Sequence, residues 1–388
     1  MEQPHSILTG AEAVLNIQPN SSLSVTYDTL FGSSHNHMLL ELHDEMLPDL
    51  LHQSITLRGE PNEDVVLCTL SKTYAVKFVG TSNSVFLIPP SRHQFTQNGQ
   101  QSVASVIEIS PGNMELIETA PRLDRLKTLL AQNPYSSMEA LQADDMEDDS
   151  KESKMGLCTW HDLVNKIQAS DDELRNGLEA LSAVEIDGFW RIVDEKYMGE
   201  ILTMLLQNSI LNDWSLDKLD EDEVVTSLVT DGFPHKLAYH CLHVYGSKVD
   251  EARGKSCVWT LDERRVCVHF ARQVLGVGKM KLERFMEMWL KKIPDGMNAN
   301  LEMLKGEVLT EKVGIEMWVR GFSVASLPSN PAERFSVLFR ERPKWESKDL
   351  QHYIRDLKVP GLSSEGLLLK YTRRTQPTQD AAPVFTAR

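Results

Sequence analysis

The chain contains 388 residues, and at about 100 to 200 residues per domain this length predicts two to four domains. Its composition, 41% hydrophobic and 25% charged, is ordinary for a folded protein and excludes wholesale disorder. The formal net charge of −16 excludes a protein that coats nucleic acid by bulk electrostatic attraction.

Apolar runs and cysteines indicate the cellular compartment. Runs such as Val85 to Pro90 are far shorter than the roughly 20 residues that cross a bilayer, so no membrane span is expected. The N-terminal sequence MEQPHSILTG lacks the basic start and apolar core of a secretory signal. The five cysteines form no CxxC pair, which favours reduced thiols in the cytosol or nucleus.

Residues 1–120 have the pattern of a β domain. Short apolar runs, rich in β-branched and aromatic residues, alternate with Gly, Asn, Ser and Pro, and many short strands without long helices indicate a barrel or sandwich. The predicted strands are Leu23 to Tyr27, Met38 to Leu42, Ser54 to Leu57, Val65 to Leu70, Thr73 to Val79, Ser84 to Ile88, Ser102 to Ile109 and Met114 to Glu118.

Residues 121–156 are predicted to be a helix and a linker. Leu123, Leu126, Leu129 and Leu130 share one face of a helix that ends at Asn133-Pro134. The run from Ser136 to Lys154 is rich in Asp, Glu and Ser and poor in apolar residues, which is typical of a solvated linker.

Residues 157–213 are predicted to form a first winged helix. Two capping boxes, Thr159 with Asp162 and Ser170 with Glu173, each begin a helix. Two short β runs then flank Asp187-Gly188, a dipeptide that favours a two-residue hairpin. Helix, turn, helix and hairpin is the element order of a winged helix.

The same order predicts two further modules. Residues 214–325 would contain a helical connector and a second winged helix with its turn at Val313-Gly314. Residues 195–275 would supply further helices that join the modules. Residues 326–388 would form a third, basic winged helix whose last helix runs from Ser363 to about Arg374. The predicted fold class is therefore α+β multidomain, an N-terminal β-barrel-like domain followed by tandem winged-helix domains.

Catalytic and metal-binding patterns are weak. The run Gly276-Val277-Gly278-Lys279 lacks the first Gly and the Ser or Thr of a phosphate-binding loop, so a glycine break between helices is the favoured interpretation. The cluster His235, His240, Cys241 and His243 lacks a fourth ligand at zinc-finger spacing, which favours ordinary histidines over a metal site. The sequence predicts no enzyme activity and no cofactor or metal.

The basic C-terminal end is the main candidate site. Residues 331–388 contain eleven Lys or Arg residues against seven Asp or Glu residues, whereas the rest of the chain is acidic. On the predicted last helix, Lys370, Arg373 and Arg374 would share one edge as phosphate contacts. Arg340, Arg342, Lys344 and Lys348 would extend this DNA-binding patch, and an ordinary solvated face is the alternative.

Four segments resemble one known family. They are LCTLSKTYAVKFVGTSNSVFLIPP (67–90), RLDRLKTLLAQNPY (122–135), ERFSVLFRERPKWESKDLQHYI (333–354) and LLLKYTRR (367–374). In order and spacing they resemble the sister chromatid cohesion proteins called defective in sister chromatid cohesion protein one.

The resemblance implies a function and partners. Such proteins are non-ATPase subunits of an alternative replication factor C clamp loader that acts in chromosome transmission fidelity and cohesion. Their β domain shares a barrel with a small companion subunit and the tail of the large ATPase subunit. Their winged helices contact the catalytic subunit of DNA polymerase epsilon and bind DNA, which places the loader of the sliding clamp at the leading strand. DNA is a sequence-neutral partner, and the sliding clamp is an indirect one. Residence in the nucleus follows from that function.

Two other functions compete with this one. A free-standing winged-helix regulator would discriminate between base sequences, whereas the clamp-loader subunit predicts salt-sensitive binding that is indifferent to sequence. An enzyme is suggested only by the glycine break and the histidine cluster.

Overall fold

The computed structural model of the protein describes residues 23–29, 31–32, 38–52, 55–88, 102–142, 156–249, 257–276, 278–376 and 382–388. The fold is mixed α/β and divides into two compact units, Met1–Thr119 (unit 1) and Ala120–Arg388 (unit 2). Strands predominate in the described part of unit 1, and unit 2 combines helices with small sheets.

Unit 1 is built around an open five-stranded sheet with the strand order β2-β7-β5-β4-β3, and β1 pairs separately with β6 in parallel. Met46, Leu67, Tyr74 and Leu116 form its buried core. Its elements are Leu23–Tyr27 (β1), Leu39–Glu41 (β2), the helix Leu47–His52 (α1), Thr56–Arg58 (β3), Val66–Cys68 (β4), Thr73–Leu87 (β5), Ser102–Val106 (β6) and Glu108–Glu118 (β7).

Every predicted strand of unit 1 overlaps an observed one, with two differences in connection. The predicted strand from Ser102 to Ile109 is divided between β6 and the start of β7. The runs Thr73 to Val79 and Ser84 to Ile88 are parts of a single strand, β5, whose register against β7 shifts between Gly80 and Val85. The polar residues 80–83 suggested a turn, yet pairing with β7 on both sides keeps them extended. Among the described residues β2 and β3 are the sheet edges, so the closed barrel stays a prediction.

Unit 2 contains twelve described α-helices and eleven strands. The first part comprises Leu123–Gln132 (α2), Ser137–Gln142 (α3), Trp160–Lys166 (α4), Asp171–Ala180 (α5), Ala183–Ile186 (β8), Phe189–Ile192 (β9), Glu195–Leu211 (α6), Leu219–Asp220 (β10), Glu221–Thr230 (α7), His235–Tyr245 (α8), Gly246–Val249 (β11) and Val258–Leu261 (β12). The second part comprises Glu263–Leu275 (α9), Lys279–Lys281 (β13), Leu282–Leu290 (α10), Val308–Val313 (β14), Glu316–Gly321 (β15), Pro331–Glu341 (α11), Lys344–Glu346 (β16), Ser347–Leu350 (α12), Ser364–Tyr371 (α13), Thr372–Thr375 (β17) and Val384–Ala387 (β18).

One order of elements recurs through unit 2. In each group, a helix and a short strand are followed by further helical segments and two final strands. The three strands of a group form one sheet with the last strand at its centre, in the orders β10-β12-β11, β13-β15-β14 and β16-β18-β17. A reduced version precedes these three. There, helices α2, α4 and α5 accompany the hairpin β8–β9, and an isolated bridge from Cys158 to Trp190 takes the place of the first strand.

Local signals in the first of these groups are confirmed. The Thr159 hydroxyl accepts from the Asp162 backbone N–H at 3.2 Å, and the Asp162 carboxylate accepts from the Thr159 N–H at 2.9 Å. Ser170 and Glu173 form the same reciprocal pair. Asp187 and Gly188 have φ values of 51° and 84°, the left-handed pair that a two-residue hairpin turn of type I′ requires.

Residues 195–275 contain the predicted helices and also strands that the sequence did not reveal. Strand β10 has two residues, too few for a pattern, and strands β11 and β12 are joined by residues 250–256 without a tight-turn signal. These strands give this segment the same element order as the modules on either side of it.

A single buried core joins α6 to α10 with the hairpin β14–β15. Trp289 is fully buried there, and its indole N–H donates to the Cys267 carbonyl at 2.8 Å. His269 lies in the same core, with Nδ1 2.9 Å from the Tyr245 hydroxyl and Nε2 2.9 Å from the Gln273 amide nitrogen. Burial lowers the pKa of His269 from 6.5 to about 4.

The stability of unit 2 should therefore depend on pH through His269. The unfolded chain binds this proton near pH 6.5 and the folded chain only near pH 4, so the stability that neutral His269 provides above pH 6.5 is lost as the pH falls towards 4. Between pH 7 and pH 4, we expect the free energy of unfolding to fall by about 3 kcal/mol more in the wild type than in His269→Gln. Urea denaturation at several pH values measures this difference, and parallel pH profiles would contradict the expectation.

Candidate protein and nucleic-acid interfaces

The last helix is shorter than the sequence predicted, which changes the geometry of the basic end. Helix α13 ends at Tyr371, where the Thr372 hydroxyl donates to the Leu368 carbonyl at 2.6 Å. Arg373 and Arg374 lie on β17, because residues 372–375 pair with β18. The prediction that Lys370, Arg373 and Arg374 share one helix edge is therefore wrong. Because successive strand residues point to opposite faces of a sheet, Arg373 and Arg374 lie on opposite faces.

The sheet instead brings two of the predicted residues to one face. Lys344 on β16 lies opposite Thr386 on β18, and Thr386 lies opposite Arg373 on β17. Residues directly opposite each other share a face, so Lys344 and Arg373 flank Thr386 with their Cα atoms about 10 Å apart, twice the strand spacing. Both side chains are exposed, and neither forms an ion pair with any described residue.

The other predicted cations differ in their surroundings. Arg342 donates to Asp349 Oδ2 at 3.2 Å and to the Thr310 carbonyl at 2.8 Å, so its guanidinium connects α11 to β14 and α12. Lys348 pairs with Glu346 at 3.0 Å on the surface. Arg340, in the last turn of α11, and Lys370, in the last turn of α13, are exposed. Arg342 and Lys348 are thus already paired with carboxylates, whereas Lys344 and Arg373 share one face of the sheet.

The residues of the glycine break and of the histidine cluster form contacts that stabilise the fold. Gly276 ends α9 with a φ of 51°, and Lys279 begins β13, where its ammonium pairs with Glu311. His240 Nε2 lies 2.9 Å from the Ser182 carbonyl, and burial lowers the pKa of His240. Among the described residues, no group of three or more His, Cys, Asp or Glu side chains is placed to hold a metal ion.

Unit 1 has an incomplete apolar face that the sequence pattern did not predict. Tyr74, Val76 and Phe78 alternate along β5 and so point to the same side of the sheet. Tyr74 belongs to the buried core and Val76 packs against it, yet Phe78 is 56% exposed. Phe86 and Val85, farther along β5, are also exposed. An apolar sheet face that the described residues of its own unit leave uncovered is typical of a protein-binding surface.

Among the described helices, none combines the length and apolar content that a membrane crossing requires.

Comparisons with known proteins agree over nearly the whole chain. The family model described as sister chromatid cohesion protein Dcc1 matches residues 37–354. The chain is 31% identical over 395 residues to sister chromatid cohesion protein DCC1 of Xenopus tropicalis, covering 100% of this chain and 98% of that protein. It is 32% identical over 358 residues to the Homo sapiens protein of the same name, covering 90% and 88%. A probable member from Dictyostelium discoideum is 26% identical over 362 residues, covering 87% and 90%. This chain therefore belongs to the Dcc1 family of sister chromatid cohesion proteins.

Proposed function

We propose that this chain is a non-catalytic subunit of an alternative replication factor C clamp loader. It would act in the nucleus, link the loader to DNA polymerase epsilon and to DNA, and so support sliding-clamp loading, DNA replication and sister chromatid cohesion. The observation that carries the proposal is family membership over nearly the full length of the relatives, whose names state a role in cohesion.

Unit 1 provides the surface for the companion subunits. Among the residues described in this unit, β2 and β3 are the edges of the five-stranded sheet, and no side chain covers Phe78, which continues the core face. Strands from the small companion subunit and from the tail of the large ATPase subunit would extend this sheet towards a barrel and bury Phe78. This arrangement accounts for both the free edges and the exposed apolar side chains.

Unit 2 provides the links to polymerase and DNA. The recurring order of helix, short strand, helices and hairpin with a central last strand supports the proposal that these groups are winged-helix modules. The acidic first turn of α5, which carries Asp171, Asp172 and Glu173, favours a protein such as the polymerase at the first module. The basic residues of the last module favour DNA.

Co-elution with both companion subunits tests the proposal. We expect the full chain, co-expressed with the small companion subunit and the large ATPase subunit, to elute with them as one complex during size-exclusion chromatography. Elution of the chain alone, from a mixture in which the other two subunits are folded, would refute the proposal. A free-standing regulator would give that result.

DNA binding should depend on the shared face of Lys344 and Arg373. In the full chain, we expect Lys344→Ala/Arg373→Ala to weaken binding equally on two unrelated duplexes, because phosphate contacts carry no sequence information. The slope of log affinity against log salt should shrink by about 1.8, roughly 0.9 for each lost contact. Fluorescence anisotropy across salt concentrations measures both quantities.

The matched control, Lys218→Ala/Lys312→Ala, removes the same charge from two exposed lysines in other modules. If this control weakens binding as much as the test variant, bulk charge explains the effect and the assigned face is wrong. Affinity that differs markedly between the two duplexes would favour the free-standing regulator.

A further inference from the structure

The sheet face that carries Lys344 and Arg373 also carries an exposed threonine. Thr375, the last residue of β17, lies opposite Val384 on β18, and Val384 lies opposite Glu346 on β16. Because opposite residues share a face and side chains alternate along a strand, Thr375 lies on the same face as Arg373, about 7 Å farther along β17. The face thus has a basic row at Lys344 and Arg373 and a second row at Glu346 and Thr375.

The position of Thr375 makes it accessible to an enzyme. Its side chain is exposed, and among the described residues its hydroxyl has no hydrogen-bond partner. Strand β17 is an outer strand of its sheet, and the exposed Gln376 follows it directly. An enzyme that takes an extended peptide can therefore reach Thr375 and Gln376 without displacing a core side chain.

The sequence around Thr375 supplies a recognition signal. Thr375 is preceded by Arg373 and Arg374 and followed by Gln376, and a second Thr-Gln pair begins at Thr378. One class of serine/threonine kinase selects glutamine directly after the residue that it phosphorylates. A Thr-Gln pair by itself is a weak signal, and the structure adds that Thr375 is exposed and shares a face with Arg373.

We infer that Thr375 is a phosphorylation site, and that its phosphorylation weakens DNA binding by this sheet face. The inference rests on the proposed function, because it concerns the face through which Lys344 and Arg373 would contact DNA. In the reaction, Thr375 Oγ1 loses its proton and forms a bond to the γ-phosphorus of ATP. The bond from that phosphorus to the oxygen that bridges it to the β-phosphorus breaks, and ADP leaves with the electron pair.

The effect follows from a reversal of charge on the face. Lys344, Arg373 and Glu346 give it a formal charge of 2 − 1 = +1. A phosphothreonine adds about −1.5 to −2 at pH 7, so the face becomes negative and repels DNA. The phosphate oxygens also accept hydrogen bonds from the Arg373 guanidinium, which then loses its DNA phosphate. Glu346, on the far side of Val384, repels the new phosphate towards Arg373.

Phosphorylation itself is tested on the folded full chain. The chain is incubated with Mg²⁺, ATP and a glutamine-directed kinase, and mass spectrometry of its peptides locates the phosphate. We expect phosphate at Thr375 in the wild type and in Thr378→Val, none at this position in Thr375→Val, and little in Gln376→Asn, which keeps the acceptor but changes the selected residue. No phosphate at Thr375, or phosphate at Thr378 alone, would overturn the inference.

DNA binding is then compared before and after phosphorylation. Fluorescence anisotropy at low salt should show affinity lower by about tenfold for the phosphorylated chain, with a smaller salt slope, and phosphatase treatment should restore both. Thr375→Glu adds one charge instead of two and should lower the affinity by about threefold. The matched control Thr226→Glu adds the same charge at an exposed threonine on α7 and should bind as the wild type does.

The variant Lys344→Ala/Arg373→Ala distinguishes failure of this inference from failure of the proposed function. If that variant loses affinity while the phosphorylated chain binds DNA as before, the inference is wrong and the DNA-binding face stands. If neither change affects binding, the DNA link in the proposed function fails and the inference fails with it. Equal loss in Thr226→Glu and Thr375→Glu would show that net charge, and not this face, determines the effect, which would also overturn the inference.

Discussion

Phe78→Glu is expected to release the chain from its two companion subunits, while Ile117→Glu leaves the complex intact. Both residues lie in the same sheet, Phe78 on β5 and Ile117 on β7, and both are partly exposed, by 56% and 44%. They differ in the face that they occupy. Phe78 shares the side of Tyr74 and Val76, which carries the core, whereas Ile117 lies opposite Ala75 on the other side.

The size of the effect follows from burial of charge. If companion strands cover the core face, a glutamate at residue 78 loses its water and gains no cation, which costs at least about 3 kcal/mol and lowers the affinity more than a hundredfold. At residue 117 the carboxylate stays in water. Co-expression of the three subunits followed by size-exclusion chromatography gives the readout. Retention of Phe78→Glu in the complex, or loss of both variants, would show that the companions do not bind this face.

Local sequence signals predicted local structure well in this protein. The capping boxes at Thr159 and Ser170 satisfy the backbone donors at helix starts from within four residues, so they form wherever the helix does. Asp187-Gly188 sets a hairpin turn for the same reason, because the left-handed backbone of both residues is a property of the dipeptide.

Structure that depends on distant partners was harder to predict. Lys370 to Arg374 has helical spacing, yet pairing of residues 372–375 with β18 converts Arg373 and Arg374 to strand. The two-residue strand β10 exists only through its pairing with β12. The face shared by Lys344 and Arg373 depends on a strand register that no local pattern encodes. The candidate DNA-binding residues were thus identifiable by charge, but their grouping was not.

The largest effect on folding is expected from Arg334→Met in the last module. Arg334 lies on α11 with its side chain only 3% exposed, and it pairs with Asp356 Oδ1 at 2.6 Å. Its guanidinium also donates to the Pro328 carbonyl at 2.6 Å and to the Tyr353 carbonyl at 3.2 Å. Methionine fills similar space but donates no hydrogen bond, so two carbonyls in a poorly hydrated site lose their donor, while the Asp356 carboxylate, 45% exposed, loses its cation but stays partly in water. We expect a loss of about 3 kcal/mol in the stability of this module, because each buried carbonyl left without a donor costs about 1 to 3 kcal/mol.

Hydrogen exchange measured by mass spectrometry localises this loss. Amides of α11 and of residues 347–357 should exchange about a hundredfold faster in Arg334→Met, since about 2.7 kcal/mol corresponds to that ratio, while amides of unit 1 keep their rates. Lys348→Met is the matched control, because it breaks the exposed pair with Glu346 in the same module and should change stability by less than about 1 kcal/mol. Equal exchange in the two variants would mean that the buried guanidinium is no more important than a surface cation. A difference confined to Arg334→Met would show that this single side chain joins α11 to the segment before it and to the one around Tyr353 and Asp356.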